Sequence, residues 1–231
     1  MKKLFSLCFA LVSSMVFASE SSVYDFTWLD ADKEVYVLQN RKFRKDGKLY
    51  VSGLAGMTTS GAFVDSTSYQ GRAGFFFQEE FGFEVLYSKN VSSKNDTFKN
   101  VEASGSTPYY RKIEDYMGAM FNWAPFYAKI NTFNKVVYFD WIFGVGGAKI
   151  TSKDNRNDIL VNSPGDDVLT SESSTGMMWG TGPRFYLSEH WSIRLDMTAL
   201  YYKADRQITN SRKESANFSN YDLTLGLNYT F

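Results

Sequence analysis

The chain ends in a run where every second position is apolar or aromatic. Tyr221, Leu223, Leu225, Leu227, Tyr229 and Phe231 alternate with Asp222, Thr224, Gly226, Asn228 and Thr230. A period of two puts the two sets on opposite faces of a β-strand. The same signal recurs upstream and predicts strands over about 48–58, 67–77, 81–89, 113–124, 136–150, 176–187 and 191–202. Phe81, Phe83, Val85 and Tyr87 share a face of the third strand, and Val137, Phe139, Trp141, Phe143 and Val145 a face of the fifth. Trp191, Ile193, Leu195, Met197, Ala199 and Tyr201 do so in the seventh.

The connections alternate in length. Gln78-Glu79-Glu80 and Ser188-Glu189-His190 are tight turns, and 125–134 is a longer one, whereas polar stretches over 90–112, 151–174 and 203–217 separate the other pairs. The connection after the first strand is shorter but rich in Gly, Ser and Thr. A transmembrane barrel has an even number of antiparallel strands, short turns at one rim and long loops at the other. A soluble sandwich has no reason to sort its loops by end. The strands are long enough for the ~9–11 tilted residues that cross hydrocarbon. Tyr87, Trp123, Trp179, Trp191, Tyr201, Tyr221 and Tyr229, near strand ends, suit interfacial girdles. The fold class expected is therefore all-β: an eight-stranded antiparallel up-and-down transmembrane β-barrel over 48–231, with both termini periplasmic.

The first residues select the membrane reading. Lys2 and Lys3 precede an apolar stretch from Leu4 to Phe17, which ends in Val16-Phe17-Ala18 before Ser19-Glu20. A charged start, an apolar run too short to span a bilayer and small residues at the cleavage point make 1–18 a signal peptide. Nothing continues the stretch as a stop-transfer anchor. Cys8, the one cysteine, lies inside it without a lipobox, so the exported chain is expected to lack thiols and disulfides. Residues 19–47 then form a periplasmic extension. Trp28, Leu29, Val35, Tyr36, Val37, Leu38 and Phe43 make it too apolar to hang free. It either caps its own barrel or docks on a neighbouring protomer to build a homo-oligomer.

Charge narrows the partners. The chain has 25 basic and 25 acidic residues, and without Lys2 and Lys3 the basic count falls to 23, so no basic excess points to nucleic acid. Aromatics reach 17%, concentrated in the alternating segments that would face outer-membrane lipids. On the opposite, lumen-facing positions stand Arg72, Glu84, Asp140, Arg184, Arg194 and Asp196, most of them four to six residues from a short turn. Opposite charges at nearly one depth in a narrow barrel must pair, because desolvating each alone costs several kcal/mol. Arg184 is expected to pair with Glu84 or Asp140. Gly74, Gly82, Gly118, Gly144, Gly146, Gly180, Gly182 and Gly226 share this face and are expected to leave room for the arginines.

Enzymatic readings find little support. His190, the one histidine, falls in a short turn, remote from any nucleophile or acid on the opposite rim. It reads as an exposed turn residue. Asp154, Asp158, Asp166, Asp167 and Glu172 have no defined ligand spacing, and Lys153 and Arg156 interrupt them, so a solvated loop is expected rather than a Ca²⁺ site. No catalytic residue, cofactor or metal is expected.

The chain resembles the small outer-membrane barrels of the OmpA-transmembrane-domain and OmpX type, in a branch common in predatory and social Gram-negative bacteria. Carriers of the resemblance are Glu34-Val35-Tyr36-Val37-Leu38-Gln39-Asn40-Arg41, Trp123-Ala124-Pro125-Phe126-Tyr127-Ala128-Lys129, Phe139-Asp140, Gly182-Pro183-Arg184-Phe185 and Ser188-Glu189-His190-Trp191. The resemblance implies a non-enzymatic eight-stranded barrel inserted by the barrel-assembly machinery, with Phe231 ending the assembly signal. The sequence departs from full-length OmpA in stopping at Phe231 with no peptidoglycan-binding domain, so a cell-wall tether is not expected. The function expected is a structural or interaction role with a side-chain-filled lumen. A narrow ion or small-solute channel through the charged lumen is one alternative. A lipid- or ligand-binding soluble barrel, its faces inverted, is another.

Overall fold

The computed structural model describes residues 41–59, 61–132, 135–156, 169–209 and 212–231; the side chains of 206–213 are not among them. The strands are β1 (Lys48–Thr59), β2 (Val64–Phe76), β3 (Phe81–Lys94), β4 (Arg111–Thr132), β5 (Lys135–Asp154), β6 (Thr170–Tyr186), β7 (Trp191–Thr209) and β8 (Arg212–Thr230). A short helix, α1 (Asp96–Ala103), lies between β3 and β4. The strands close into a ring in chain order, each antiparallel to its neighbours. Closure pairs β1 with β8, with Tyr50 opposite Thr230 and Thr59 opposite Tyr221. A closed ring leaves no strand edge to protect. The fold class read from the alternation is the one observed.

Apolar side chains point out. Phe83, Val85, Leu223, Leu225 and Leu227 are exposed on the wall, while Arg72, Glu84, Arg184 and Arg194 are buried inside. This is the reverse of a soluble lipocalin-type barrel. Trp123, Trp191 and Phe231 ring the wall near the end that carries the C-terminus, and Tyr69, Tyr87, Tyr201 and Tyr221 ring it toward the other, here called the loop end.

Several strands outrun the apolar alternation. The β7–β8 ladder continues to Thr209 opposite Arg212, so the stretch 203–217 is mostly hairpin rather than loop. β5 reaches Asp154 and β6 begins at Thr170. Backbone pairing needs no particular side chain, so a polar stretch extends a ladder once its flanking strands are in register. β4 likewise runs past Pro125. A register shift between Trp123 and Phe126 takes the proline out of the ladder, and Phe126–Thr132 pairs onward with Lys135–Trp141, so most of the expected turn is the outer part of the β4–β5 hairpin. Within the stretch 90–112, Asn95 caps α1 by accepting from the Phe98 amide at 3.0 Å, and Phe98 packs edge-on against Tyr110.

The compact unit that contains the barrel begins at Arg41. Residues 41–47 fold back under the terminal end, where Phe43 is buried and stacks on Tyr186 at 4.8 Å. The signal peptide and residues 19–40 of the expected extension lie outside the described residues. Among the described residues no helix is long and apolar enough to cross a membrane.

Candidate functional site: the barrel lumen

Glu84 on β3 is the hub of the lumen. Its carboxylate accepts from Arg72 Nη1 at 3.0 Å, Arg194 Nη1 at 2.7 Å and the Tyr50 hydroxyl at 2.6 Å. Asp196 lies 3.0 Å from Arg194 Nε and 3.7 Å from Arg72 Nη1. β3 and β7 stand four places apart in a ring of eight, so the Arg194–Glu84 contact crosses the whole lumen. Two guanidiniums against two carboxylates balance the charge, as burial requires. Arg72 donates further to Gln70 and Thr198. Period-two placement thus brings together Arg72, Glu84, Arg194 and Asp196.

Asp140 and Arg184 are placed differently. Asp140 is fully buried nearer the terminal end, where it accepts from Lys45 Nζ at 2.6 Å and from the Tyr186 hydroxyl. Lys45 comes from outside the strands. Its backbone amide donates to the Glu79 carboxylate at 3.2 Å, and its side chain enters the barrel mouth. Arg184 pairs with neither Glu84 nor Asp140, contrary to the sequence expectation. Among the described residues it makes no ion pair; its guanidinium lies 4.7 Å over the Tyr50 ring and 5.3 Å over Phe76. Arg184 Nε and Nη2 are buried without a hydrogen-bond partner, as is Asp140 Oδ1. Lys45 has taken the partner that Arg184 was expected to hold.

Toward the loop end the lumen changes character. Gln70 Nε2 donates to the Tyr116 hydroxyl at 2.9 Å and to Asp222 at 3.1 Å, and Tyr116 donates to Asp222. Beside them Leu86, Ile113, Met120, Ile150, Met178 and Leu200 form a buried apolar layer. The lumen is therefore not lined by polar residues throughout. Nor do its glycines make room for arginines. A Cβ on Gly74 would lie 2.4 Å from the Tyr50 ring, and one on Gly118 would lie 2.5 Å from Met178. The space goes to Tyr50, which completes the Glu84 hub, and to the apolar layer.

Beyond that layer Asp154 and Glu172 do not sit in a solvated loop. Asp154 is fully buried, 2.7 Å from both Arg111 Nη2 and Arg156 Nε; Glu172 lies 2.6 Å from Arg156 Nη2 and 3.1 Å from Arg111 Nη2. Hydrogen bonding to Asp154 raises the Arg156 guanidinium above its ordinary range. Asp158, Asp166 and Asp167 lie outside the described residues. His190 is an exposed turn residue whose Nδ1 lies 2.8 Å from the Thr230 carbonyl oxygen. Phe231 closes β8 by donating its amide to the Leu49 carbonyl at 3.0 Å, its ring 62% exposed on the wall. Among the described residues no cluster of three or more His, Cys, Asp or Glu side chains is placed to hold a metal.

The sequence profile of the outer membrane protein β-barrel domain matches residues 6–231. The chain belongs to that family. Its place is accordingly the outer membrane. Among solved structures, Neisserial surface protein A (NspA) superposes with a TM-score of 0.50 at 16% identity, over 79% of this chain and 97% of that one. The N-terminal barrel of OprF from Pseudomonas aeruginosa gives 0.48 at 10% identity, over 80% and 98%. Outer membrane protein W from E. coli gives 0.42 at 13%, over 81% and 99%. At 16% identity the NspA likeness is one of fold. No curated protein matches the sequence.

Two signals for the missed residues were present in this family member's sequence. Tyr50 alternates with Ser52, and Gln70 stands between Ser68 and Arg72 on the same face, so both were lumen positions by period alone. Lys45 had no such signal, because it lies in no strand.

Proposed function

We propose that this outer-membrane barrel is a structural and interaction protein with a closed lumen, oriented with both termini in the periplasm. The observation that carries the reading is the ion-paired crossing of the lumen from Arg72 and Glu84 to Arg194 and Asp196, below which Lys45 occupies the mouth on Asp140. Opening a path would separate charges buried in a low dielectric, at a cost of several kcal/mol per unpaired ion. Connection length supports this orientation: the widest separations between successive strands, Lys94 to Arg111 and Asp154 to Thr170, fall at one rim, whereas the other has four-residue turns at 77–80 and 187–190 and the β4–β5 tip.

The test is conductance of the purified protein in a planar bilayer. Absence of open steps is expected, and frequent well-resolved steps would move the assignment to the narrow channel. Orientation is tested separately with Ser106→Cys in the β3–β4 connection. A membrane-impermeant maleimide should label it on intact cells, and labelling only after the outer membrane is breached would invert the topology.

A further inference from the structure

At the loop end a cavity of about 260 Å³ lies between the β1–β2 connection, the start of β4 and the β7–β8 ladder. Its wall is aromatic, built by Phe63, Tyr109, Tyr110, Tyr202 and Phe218, with Arg111 among them. Tyr202 and Phe218 stack at 5.8 Å, and the Arg111 guanidinium lies 4.9 Å over the Phe218 face. These rings are not the lipid-facing girdles: Tyr202 points inward and is 6% exposed.

Arg111 has a particular hydrogen-bond inventory. Its Nη1 donates to Ser152, and its Nη2 to Asp154, Glu172 and the Asp205 carbonyl. Its Nε is buried and has no hydrogen-bond partner. Asp154 and Glu172, shared with Arg156, neutralise this guanidinium, so it brings no free positive charge to the cavity. Size sets the second constraint. An apolar cavity of about 150 Å³ accepts benzene, so this one suits a fused two-ring solute of roughly 10–12 heavy atoms.

We propose that the cavity binds a neutral, flat, mostly apolar solute of one or two rings, held between the aromatic faces. The inference is independent of whether the lumen conducts, since the site lies beyond the ion-paired crossing.

The test uses 1-naphthol, titrated calorimetrically into the full exported protein in detergent, with protein-free micelles as the blank. Saturable one-to-one binding is expected. Ala62 lines the cavity and is exposed, so enlarging it fills space from the loop side without disturbing the core. Ala62→Trp should weaken binding about tenfold or more, equivalent to about 1.4 kcal/mol, and Ala62→Leu by less. Lys129→Ala, exposed on the β4–β5 tip at the opposite end, should bind as the wild type does. The carboxylate 1-naphthoate should bind about tenfold more weakly than the phenol, because among the described residues lining the cavity its charge finds no free cation. Equal heats for wild type and both Ala62 variants would mean partition into micelles and overturn the site. Tighter binding of naphthoate would overturn its neutral character.

Discussion

Removing the charge of Glu84 is the sharpest perturbation of this barrel. Glu84→Gln keeps the shape and one carbonyl acceptor, but leaves two buried guanidiniums facing Asp196 alone. Three hydrogen bonds to an ionised group, at about 1.5–3 kcal/mol each, set a ceiling of roughly 5–9 kcal/mol. The true cost lies below it, because Arg72 retains Gln70, Thr198 and Asp196, and Arg194 retains Asp196. What remains is the penalty of an uncompensated buried charge, about 3–5 kcal/mol. Two comparators set the scale. Arg184→Met removes a cation that lies over two ring faces and makes no ion pair among the described residues, and should cost about 0.5–2 kcal/mol. Glu114→Gln breaks the half-exposed pair with Lys153 at 2.8 Å and should cost no more than about 1 kcal/mol. Urea unfolding in detergent, followed by the emission of the wall tryptophans and by the mobility of unheated protein, gives all three. If Glu84→Gln falls within about 1 kcal/mol of Glu114→Gln, the hub does not hold the lumen together.

Three other outcomes are expected. Lys45→Met should strand the Asp140 carboxylate and destabilise the barrel by about 3–5 kcal/mol, with Asp140→Asn in the same chain restoring much of the loss; additive losses in the urea assay would refute the coupling. Phe231→Asp should leave export intact but reduce the heat-modifiable barrel recovered from the outer membrane, and unchanged recovery would count against an assembly signal there. Deleting 19–40 behind the signal peptide tests self-association. Mass in detergent should fall from an oligomer to a monomer if that segment bridges protomers, whereas a wild type that is monomeric across detergents ends the idea.

The barrel was legible in the sequence because its physics is local. Alternation with period two fixes which face of each strand meets lipid, and it did so for Phe83, Val85, Leu225 and Leu227 without reference to any other strand. Strand ends were less legible, because pairing propagates through polar residues such as those opposite one another in Lys203–Asn217 and Ser152–Glu172, where side chains carry no signal.

Period two also placed Arg72, Glu84, Asp140, Arg184, Arg194 and Asp196 in the lumen. It could not pair them. Partner choice depends on which strands face each other across the ring and on how far each side chain reaches, and both are properties of the closed barrel. Hence Glu84 bonds across to Arg194, while Arg184 rests on Tyr50 and Phe76 instead of a carboxylate. The largest departure is Lys45, which precedes every strand and yet supplies the cation for Asp140. A sequence fixes the face of a residue inside a regular element, because the element's own period dictates it. The direction taken by an irregular segment such as 41–47 is decided by the tertiary structure alone, through the aromatic mouth that buries Phe43 and the unpaired carboxylate that attracts Lys45.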